Sequence, residues 1–312
     1  MIGLPQVYLL AGLAFAAFGL LSARDASNPK RWGNAAFWGL LALSMLAGDR
    51  LGDFANGLLV LALVAIAGLG GLGRGAAHGS AEERAAGAVR HGNRLFLLAL
   101  VIPLVALIGT FTFKALPQLV DPKNATLVSL ALGALLALGL GMVWLGARPA
   151  EPLQEGRRLM DSVGWAAILP QMLASLGAVF ALAGVGQVVG DLMSAVIPDG
   201  SRLAAVIAYG LGMALFTMVM GNAFAAFPVM TAAIGLPLLI GQHHGDPAVV
   251  AAIGMLAGFC GTLMTPMAAN FNVVPAALLE LRDRNAVVKA QVPTALPLLA
   301  VNIALIWFLA FR

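Results

Sequence analysis

Long apolar runs separated by short polar segments dominate the sequence from its first residues to its last. Several of these runs reach the roughly 17–25 residues that an α-helix needs to cross the hydrocarbon core of a bilayer. They predict spanning helices at about 4–22, 33–48, 55–73, 94–112, 125–147, 163–184 and 292–311. With a further crossing between residues 203 and 281, the pattern indicates an all-α polytopic membrane protein with about eight transmembrane helices.

Three further apolar runs follow the first six, at 203–220, 223–240 and 248–281. Only Gly221 and Asn222 separate the first two of them, which is too short and too uncharged a segment for an aqueous loop. The third run is far longer than the roughly 20 residues of one unbroken span. Either all three runs cross the bilayer, or 203–240 forms a re-entrant hairpin and 248–281 a single broken helix. The short connection and the excess length favour the hairpin and the broken helix.

Basic residues alternate between rich and poor loops along the first half of the chain. The loops at 23–32, 74–94 and 148–161 hold ten Arg and Lys residues, whereas the loops at 49–54 and 113–124 hold three. Short loops rich in Arg and Lys stay in the cytoplasm. The sequence therefore predicts a multi-pass protein of the bacterial inner (cytoplasmic) membrane, with its N-terminus outside.

Composition supports a membrane protein and argues against several other classes. The chain is 61% hydrophobic, with a mean hydropathy of +0.93 and only 10% charged residues, whereas a soluble domain is nearer a quarter charged. The basic residues lie in the loops that set topology, so we expect the lipid bilayer, and no nucleic acid, as a partner. Cys260 is the only cysteine, and motifs such as GxSxG and HExxH are absent. We therefore expect no enzyme activity, no metal centre and no cofactor other than a coupling ion.

Polar interruptions of the apolar runs are concentrated in the second half of the chain. Residues 1–150 have the pattern of plain scaffold helices, whereas 151–312 contain the hairpin and the broken helix. Non-helical backbone at membrane depth is tolerated only where protein buries it or where it lines a cavity. The sequence therefore predicts a scaffold segment followed by a transport segment with a binding site.

The first interruption is the tip of the predicted hairpin, in MVMGNAFAAFP. Gly221 permits a tight reversal of the backbone, and Asn222 offers both donor and acceptor groups. A half-helix that begins at Ala223 would direct its first N–H groups at an anion. A simple kinked helix, in which Asn222 bonds to a neighbouring helix, explains the motif equally well.

The second interruption, GTLMTPMAANFN, concentrates polar groups in the predicted broken helix. Thr262 and Thr265 supply hydroxyls, and Pro266 removes a backbone donor and breaks the helix. Asn270 and Asn272 add two side-chain amides. The alternative is a proline-kinked helix with scattered polar packing residues, but the density of polar groups argues against it.

A third polar feature lies in ILPQMLASLG, within the helix predicted at 163–184. Gln171 and Ser175 are one helical turn apart, so they share a face of this helix. They are candidates to line the same cavity, although hydrogen bonds between neighbouring helices explain them equally well.

The two interruptions resemble the signature of the ion transporter superfamily, which includes the divalent-anion/sodium symporters. There, a hairpin tip carries a Ser-Asn-Thr type motif, and a later broken helix carries a Thr-Pro…Pro-Asn type loop. GNAF stands at the first place, with Gly221 and Ala223 where that superfamily has hydroxyl side chains. TLMTPMAANFN, at 262–272, stands at the second place.

The whole chain resembles a bacterial membrane family, once labelled only as a domain of unknown function, that is described as one subunit of a two-component 5-oxoproline transporter. The resemblance rests on GNAFAAFPVMTAAIGLPLLIG, on AGFCGTLMTPMAANFNVVPAALLEL and on the overall length. It implies a secondary active transporter for a small carboxylate, with 5-oxoproline as the favoured substrate and sodium or protons as the coupling ion. It also implies a second, smaller membrane subunit as the partner.

These interpretations define one candidate site. A sodium ion would lie near Asn222, Thr265 and Asn270. The residues predicted to bind the substrate are Gly221, Asn222, Ala223, Thr262, Thr265, Pro266, Asn270, Asn272, Gln171 and Ser175. The alternative function is a non-transporting membrane scaffold or an accessory subunit of a membrane complex.

Overall fold

The structure, a computed structural model, describes residues 2–75, 81–195, 197–198, 200–279 and 281–312. Within these ranges the regular structure is helical, apart from an isolated bridge between Ile2 and Val120. The helices are α1 (Leu4–Arg24), α2 (Arg31–Gly68), α3 (Ala81–His91), α4 (Leu95–Ala115), α5 (Ala125–Leu145), α6 (Glu151–Val163), α7 (Leu169–Leu182), α8 (Val185–Ser194), α9 (Arg202–Met220), α10 (Ala223–Met230), α11 (Pro247–Leu263), α12 (Ala269–Leu278) and α13 (Ala286–Leu309). A π-helix, Thr231–Gln242, continues α10 without interruption.

The described part of the chain contains seven helices that are long and apolar enough to cross a membrane, or eight if the bent pair α7–α8 is one span. This confirms the prediction of an all-α, multi-pass membrane protein. The chain divides between Gly164 and Trp165 into two compact units, α1–α6 and α7–α13. The scaffold and transport segments predicted on either side of residue 150 are a division by role, which stays a prediction.

Helix α2 turns back on itself at Gly52, whose φ of 71° and ψ of 168° are not helical. The Asn34 side chain pairs with the backbone of Gly73, accepting its N–H at 2.9 Å and donating to its C=O at 2.8 Å. In one straight helix these two residues would be about 58 Å apart. The arms before and after Gly52 are therefore antiparallel, and they correspond to the spanning helices predicted at 33–48 and 55–73.

A buried ion cluster holds α6 in the first unit. Arg157 Nη1 lies 2.8 Å from Asp25 Oδ2 and 3.1 Å from Asp161 Oδ2, and Trp38 Nε1 donates to Asp161 Oδ1 at 2.8 Å. Burial raises the pKa of Asp161, and this effect outweighs the hydrogen bond from Trp38 and the charge of Arg157. At Asp25 burial also acts to raise the pKa, but hydrogen bonds from Ser27 and Arg157 outweigh it and lower the pKa. One cation thus pairs with a buried carboxylate, Asp161, and a partly buried one, Asp25.

In the second unit, α9, α10 and α11 form the centre of the core. The two-residue connection after α9 folds α10 and its π-helical continuation back along α9, which places Gly235 against Tyr209. Helix α11 runs parallel to α9, because Gly254 packs on Tyr209 and Gly261 packs on Ala214. The carboxyl ends of α9 and α11 therefore lie at the same level.

Two segments differ from the predicted pattern. The helix predicted at 163–184 begins only at Leu169, and it bends by 68° into α8. Gly184, with φ 72°, provides the left-handed backbone at this bend. The segment predicted as the loop 148–161 is mostly the helix α6. Its charged residues suggested a loop, but charged and apolar residues alternate there with the period of an amphipathic helix, a type that lies along a membrane surface.

Candidate functional site

The connection between α9 and α10 is a two-residue tip. Gly221 ends α9 with φ 78°, and its N–H donates to Thr217 O at 2.7 Å. Asn222 is buried in an extended conformation, and its Oδ1 accepts the N–H of Phe224 at 2.7 Å. This bond caps the first turn of α10, which begins at Ala223. The side-chain oxygen of Asn222 is therefore already in use.

The broken helix ends its first half at Leu263 and resumes at Ala269. Thr265 lies in the turn between α11 and α12. Its Oγ1 donates to Met218 O at 2.9 Å and accepts the N–H of Met267 at 3.2 Å. The hydroxyl of Thr265 thus ties the turn of the broken helix to the last turn of α9.

The tip and the turn of the broken helix are in direct contact. A Cβ atom on Gly221 would lie 2.6 Å from Met267 O and 2.9 Å from its carbonyl carbon, so a side chain does not fit there. Gly258, in α11, packs against Ala223 and Thr217. The structure therefore brings the predicted tip residues against the predicted break.

Asn272 joins the two halves of the broken helix. It is fully buried in α12, and its Nδ2 donates to Thr262 O at 2.9 Å and to Thr265 O at 2.7 Å. The last carbonyls of a helix have no partner within it, and Asn272 supplies one at the end of α11. Thr262 directs its own hydroxyl along its helix, to Gly258 O at 3.4 Å.

Four side-chain oxygens on α9, α12 and α13 are buried without a hydrogen-bond partner among the described residues. They are Thr217 Oγ1, Asn270 Oδ1, Asn272 Oδ1 and Gln291 Oε1. Each unsatisfied buried acceptor costs about 1–3 kcal/mol, so such a group calls for an explanation, such as a water, an ion or a functional role. Thr217 lies in the last turn of α9, and Asn270 and Asn272 lie at the start of α12, which makes the contact between the tip and the break a candidate binding site.

Sequence reasoning missed Thr217 and Gln291. Thr217 lies one helical turn before the tip, and Gln291 lies in the second turn of α13, which packs on α12. Both are uncharged polar residues in apolar helices. That pattern was available in the sequence, but it does not distinguish a ligand contact from a hydrogen bond between helices.

The remaining predicted residues are placed less centrally. Pro266 is exposed in the turn of the broken helix. Gln171 and Ser175 belong to α7, which packs on the first turns of α10 through Gly177 and Ala225. The side chain of Gln171 lies outside the described residues, and Ser175 is exposed.

Apolar helices of spanning length, with two interruptions that meet inside one unit, define a multi-pass membrane protein with an internal polar site. The model of the family described as "Protein of unknown function (DUF979)" matches residues 5–311. The chain therefore belongs to this family. Comparison with the curated proteins and with the solved structures gave no match.

Proposed function

We propose that the chain is a subunit of a secondary active transporter for a small carboxylate, which binds between the tip at 221–223 and the break at 262–272. One observation carries the proposal: the two interruptions are in contact, and buried side-chain oxygens without partners lie on the helices that form them. The resemblance to the two-component transporters favours 5-oxoproline as the substrate.

Helix N-termini supply the positive potential that a carboxylate needs. Helix α10 begins at Ala223 and α12 begins at Ala269, both beside the contact between tip and break. The helix dipole places roughly half a positive charge at each of these ends. The first N–H groups of a helix lack partners within it, but several are already in use here: Phe224 N–H is capped by Asn222, and those of Ala269 and Phe271 donate to Met267 O and Ala268 O. Only the remaining first N–H groups are available to an anion. Residues 203–279 contain no Lys or Arg. The anion would therefore be held by backbone N–H groups and side-chain amides.

Coupling to sodium or protons would drive the substrate against its gradient. Of the three residues predicted near sodium, Asn222 and Thr265 already use their side-chain oxygens within the chain. Asn270 Oδ1 is buried and has no partner among the described residues. If the coupling ion is sodium, Asn270 is the side chain best placed to bind it.

A second membrane subunit would complete the site. Met267 is 62% exposed in the turn of the broken helix, and Pro266 and Phe271 beside it are also exposed. Irregular backbone at membrane depth does not face lipid, so protein or a water-filled cavity must adjoin this turn. The smaller membrane subunit implied by the resemblance is the partner we propose, and transport would require movement of the two subunits against each other.

Asn222→Ala is expected to lower the uptake of labelled 5-oxoproline at least about tenfold, because a hydrogen bond to a charged group contributes about 1.5–3 kcal/mol. With its oxygen held by the cap, Asn222 presents its Nδ2 donor to the carboxylate. Uptake is measured in cells that express the chain together with its partner subunit, and the amount of protein in the membrane is measured alongside.

Ser201→Ala is the matched control for this variant. Ser201 also caps a helix, accepting the N–H of Ala204 at 3.3 Å, but at the opposite end of α9. We expect this variant to transport at close to the unmodified rate. Equal losses in both variants would show that the caps act through stability alone and would remove Asn222 from the site.

A scaffold or accessory subunit is the competing function, and ligand binding separates it from a transporter. A substrate that binds the folded state raises the melting temperature in proportion to the logarithm of its concentration. We expect such a rise with 5-oxoproline when the purified chain is bound to its partner. The absence of a shift with any of a panel of small carboxylates would favour the scaffold.

A further inference from the structure

The side-chain amide of Asn272 has only one orientation that the chain allows. Its two N–H hydrogens are both used, one on Thr262 O and one on Thr265 O. Rotating the amide by half a turn would place its oxygen against these two carbonyl oxygens, which offer no hydrogen to accept. The position of Asn272 Oδ1 is therefore set by the end of α11 rather than chosen to suit a ligand.

This fixed oxygen has no donor in the described chain, although Asn272 is fully buried. The unpartnered hydroxyl of Thr217 is less constrained, because it can rotate to donate or to accept. A carboxylate placed beside Asn272 Oδ1 cannot satisfy it either, because both groups only accept hydrogen bonds. A ligand that fits here must bring a donor as well as an anion.

We propose that Asn272 Oδ1 accepts a hydrogen bond from a neutral N–H group next to the substrate carboxylate. The site then selects lactams and N-acylated amino acids over carboxylates that lack this N–H. The inference rests on the proposed function, because it assumes that a carboxylate binds between the tip and the break. It identifies Asn272 Oδ1 as the atom of the chain that recognises the substrate, and the N–H group as the part of the substrate that is recognised.

The donor is neutral because the helices that form the tip and the break carry no counter-charge for an ammonium group near that contact. Asp246 is the only charged residue from 203 to 279. Its carboxylate caps the start of α11, accepting the N–H groups of Ala248 and Val249 at 2.7 and 3.3 Å, at the opposite end of that helix from the break. A buried charge without a partner is strongly disfavoured. Free amino acids with a charged amino group are therefore expected to be poor ligands.

The test compares three analogues of 5-oxoproline as competitors for uptake by the unmodified chain with its partner subunit. The first analogue has oxygen in place of the ring N–H (the lactone), the second is proline, and the third is 5-oxoprolinamide, which lacks the carboxylate. We expect the lactone and proline each to compete at least about tenfold less well than unlabelled 5-oxoproline, because a site built to bind an N–H rejects ligands that leave its acceptor unpaired. No substitution in the chain is needed, so a folding defect at Asn272 cannot confuse the result.

The outcomes separate the inference from the function on which it rests. If the lactone competed as well as unlabelled 5-oxoproline and 5-oxoprolinamide did not compete, Asn272 would not recognise the N–H group. The proposed transport of a carboxylate would still stand. If the chain and its partner took up no 5-oxoproline, the proposed function would fail, and the inference would fail with it.

Discussion

Gly221→Ala is expected to lower the free energy of unfolding by about 2–5 kcal/mol and to abolish uptake. Alanine would be strained in the backbone conformation of this position, and its methyl group would overlap a neighbouring backbone. The φ of 78° at Gly221 is left-handed, which costs other residues roughly 1–2 kcal/mol. The Cβ atom would also lie 2.6 Å from Met267 O, a backbone atom that cannot rotate away as a side chain can. Thermal unfolding of the detergent-solubilised protein measures the loss of stability, and uptake of labelled 5-oxoproline with the proposed partner subunit tests the proposed function.

Gly200→Ala is the control that separates conformation from contact. Gly200 has φ 75°, but a Cβ atom there would meet no other atom within 4 Å. The free energy of unfolding of this variant should fall only by the cost of the left-handed backbone, about 1–2 kcal/mol, and its uptake should be unchanged. Equal effects of the two substitutions would contradict a close contact between the tip and the break.

The spanning helices were predictable because each one must supply about 20 apolar residues of its own. Helix α2 illustrates the point. The charged residues near Gly52 predicted two spanning helices, and the structure has two antiparallel arms joined at that glycine. The two interruptions were predictable from other signals: Gly221 and Asn222 are too short and too uncharged a connection for an aqueous loop, and polar residues cluster around Pro266.

The backbone geometry between these landmarks could not be predicted. Gly184 produces a bend of 68° between α7 and α8, whereas many other glycines of the described chain lie within helices. Nor does the sequence show that α10 continues as a π-helix over Thr231–Gln242. Both features depend on packing against neighbouring helices, and the packing of Gly235 on Tyr209 is an example. The hydrophobic pattern of the sequence does not predict such contacts.

Within the candidate site, the sequence identified the polar residues but not which of their side-chain atoms form hydrogen bonds within the chain. Asn222 and Asn272 are the same residue type in similar surroundings. In the structure the oxygen of Asn222 caps a helix, whereas in Asn272 the nitrogen is bound and the oxygen is left without a partner. The difference arises because Asn222 precedes a helix and faces N–H groups, while Asn272 faces the carbonyls at the end of one.

Arg157→Met is expected to lower the free energy of unfolding by about 3–5 kcal/mol, because it leaves the buried carboxylate of Asp161 and the partly buried one of Asp25 without their shared cation. Arg157 is 5% exposed, and Asp161 beside it is 2% exposed. The pKa of Asp161 is already raised by burial, and loss of the guanidinium would raise it further. A carboxyl whose pKa is higher in the folded state stabilises that state at low pH and loses this effect as the pH rises through the folded pKa. The defect should therefore shrink as the pH is lowered, which thermal unfolding over a range of pH would measure.

Arg158→Met provides the comparison on the same helix. Arg158 pairs with Glu155 at 2.7 Å, but their side chains are 23% and 41% exposed, and such surface pairs contribute at most about 1 kcal/mol. Combining Arg157→Met with Asp25→Asn and Asp161→Asn should restore much of the stability, because no buried charge then lacks a partner. If the single and triple variants were equally unstable, packing of the arginine side chain rather than its charge would hold α6 in place.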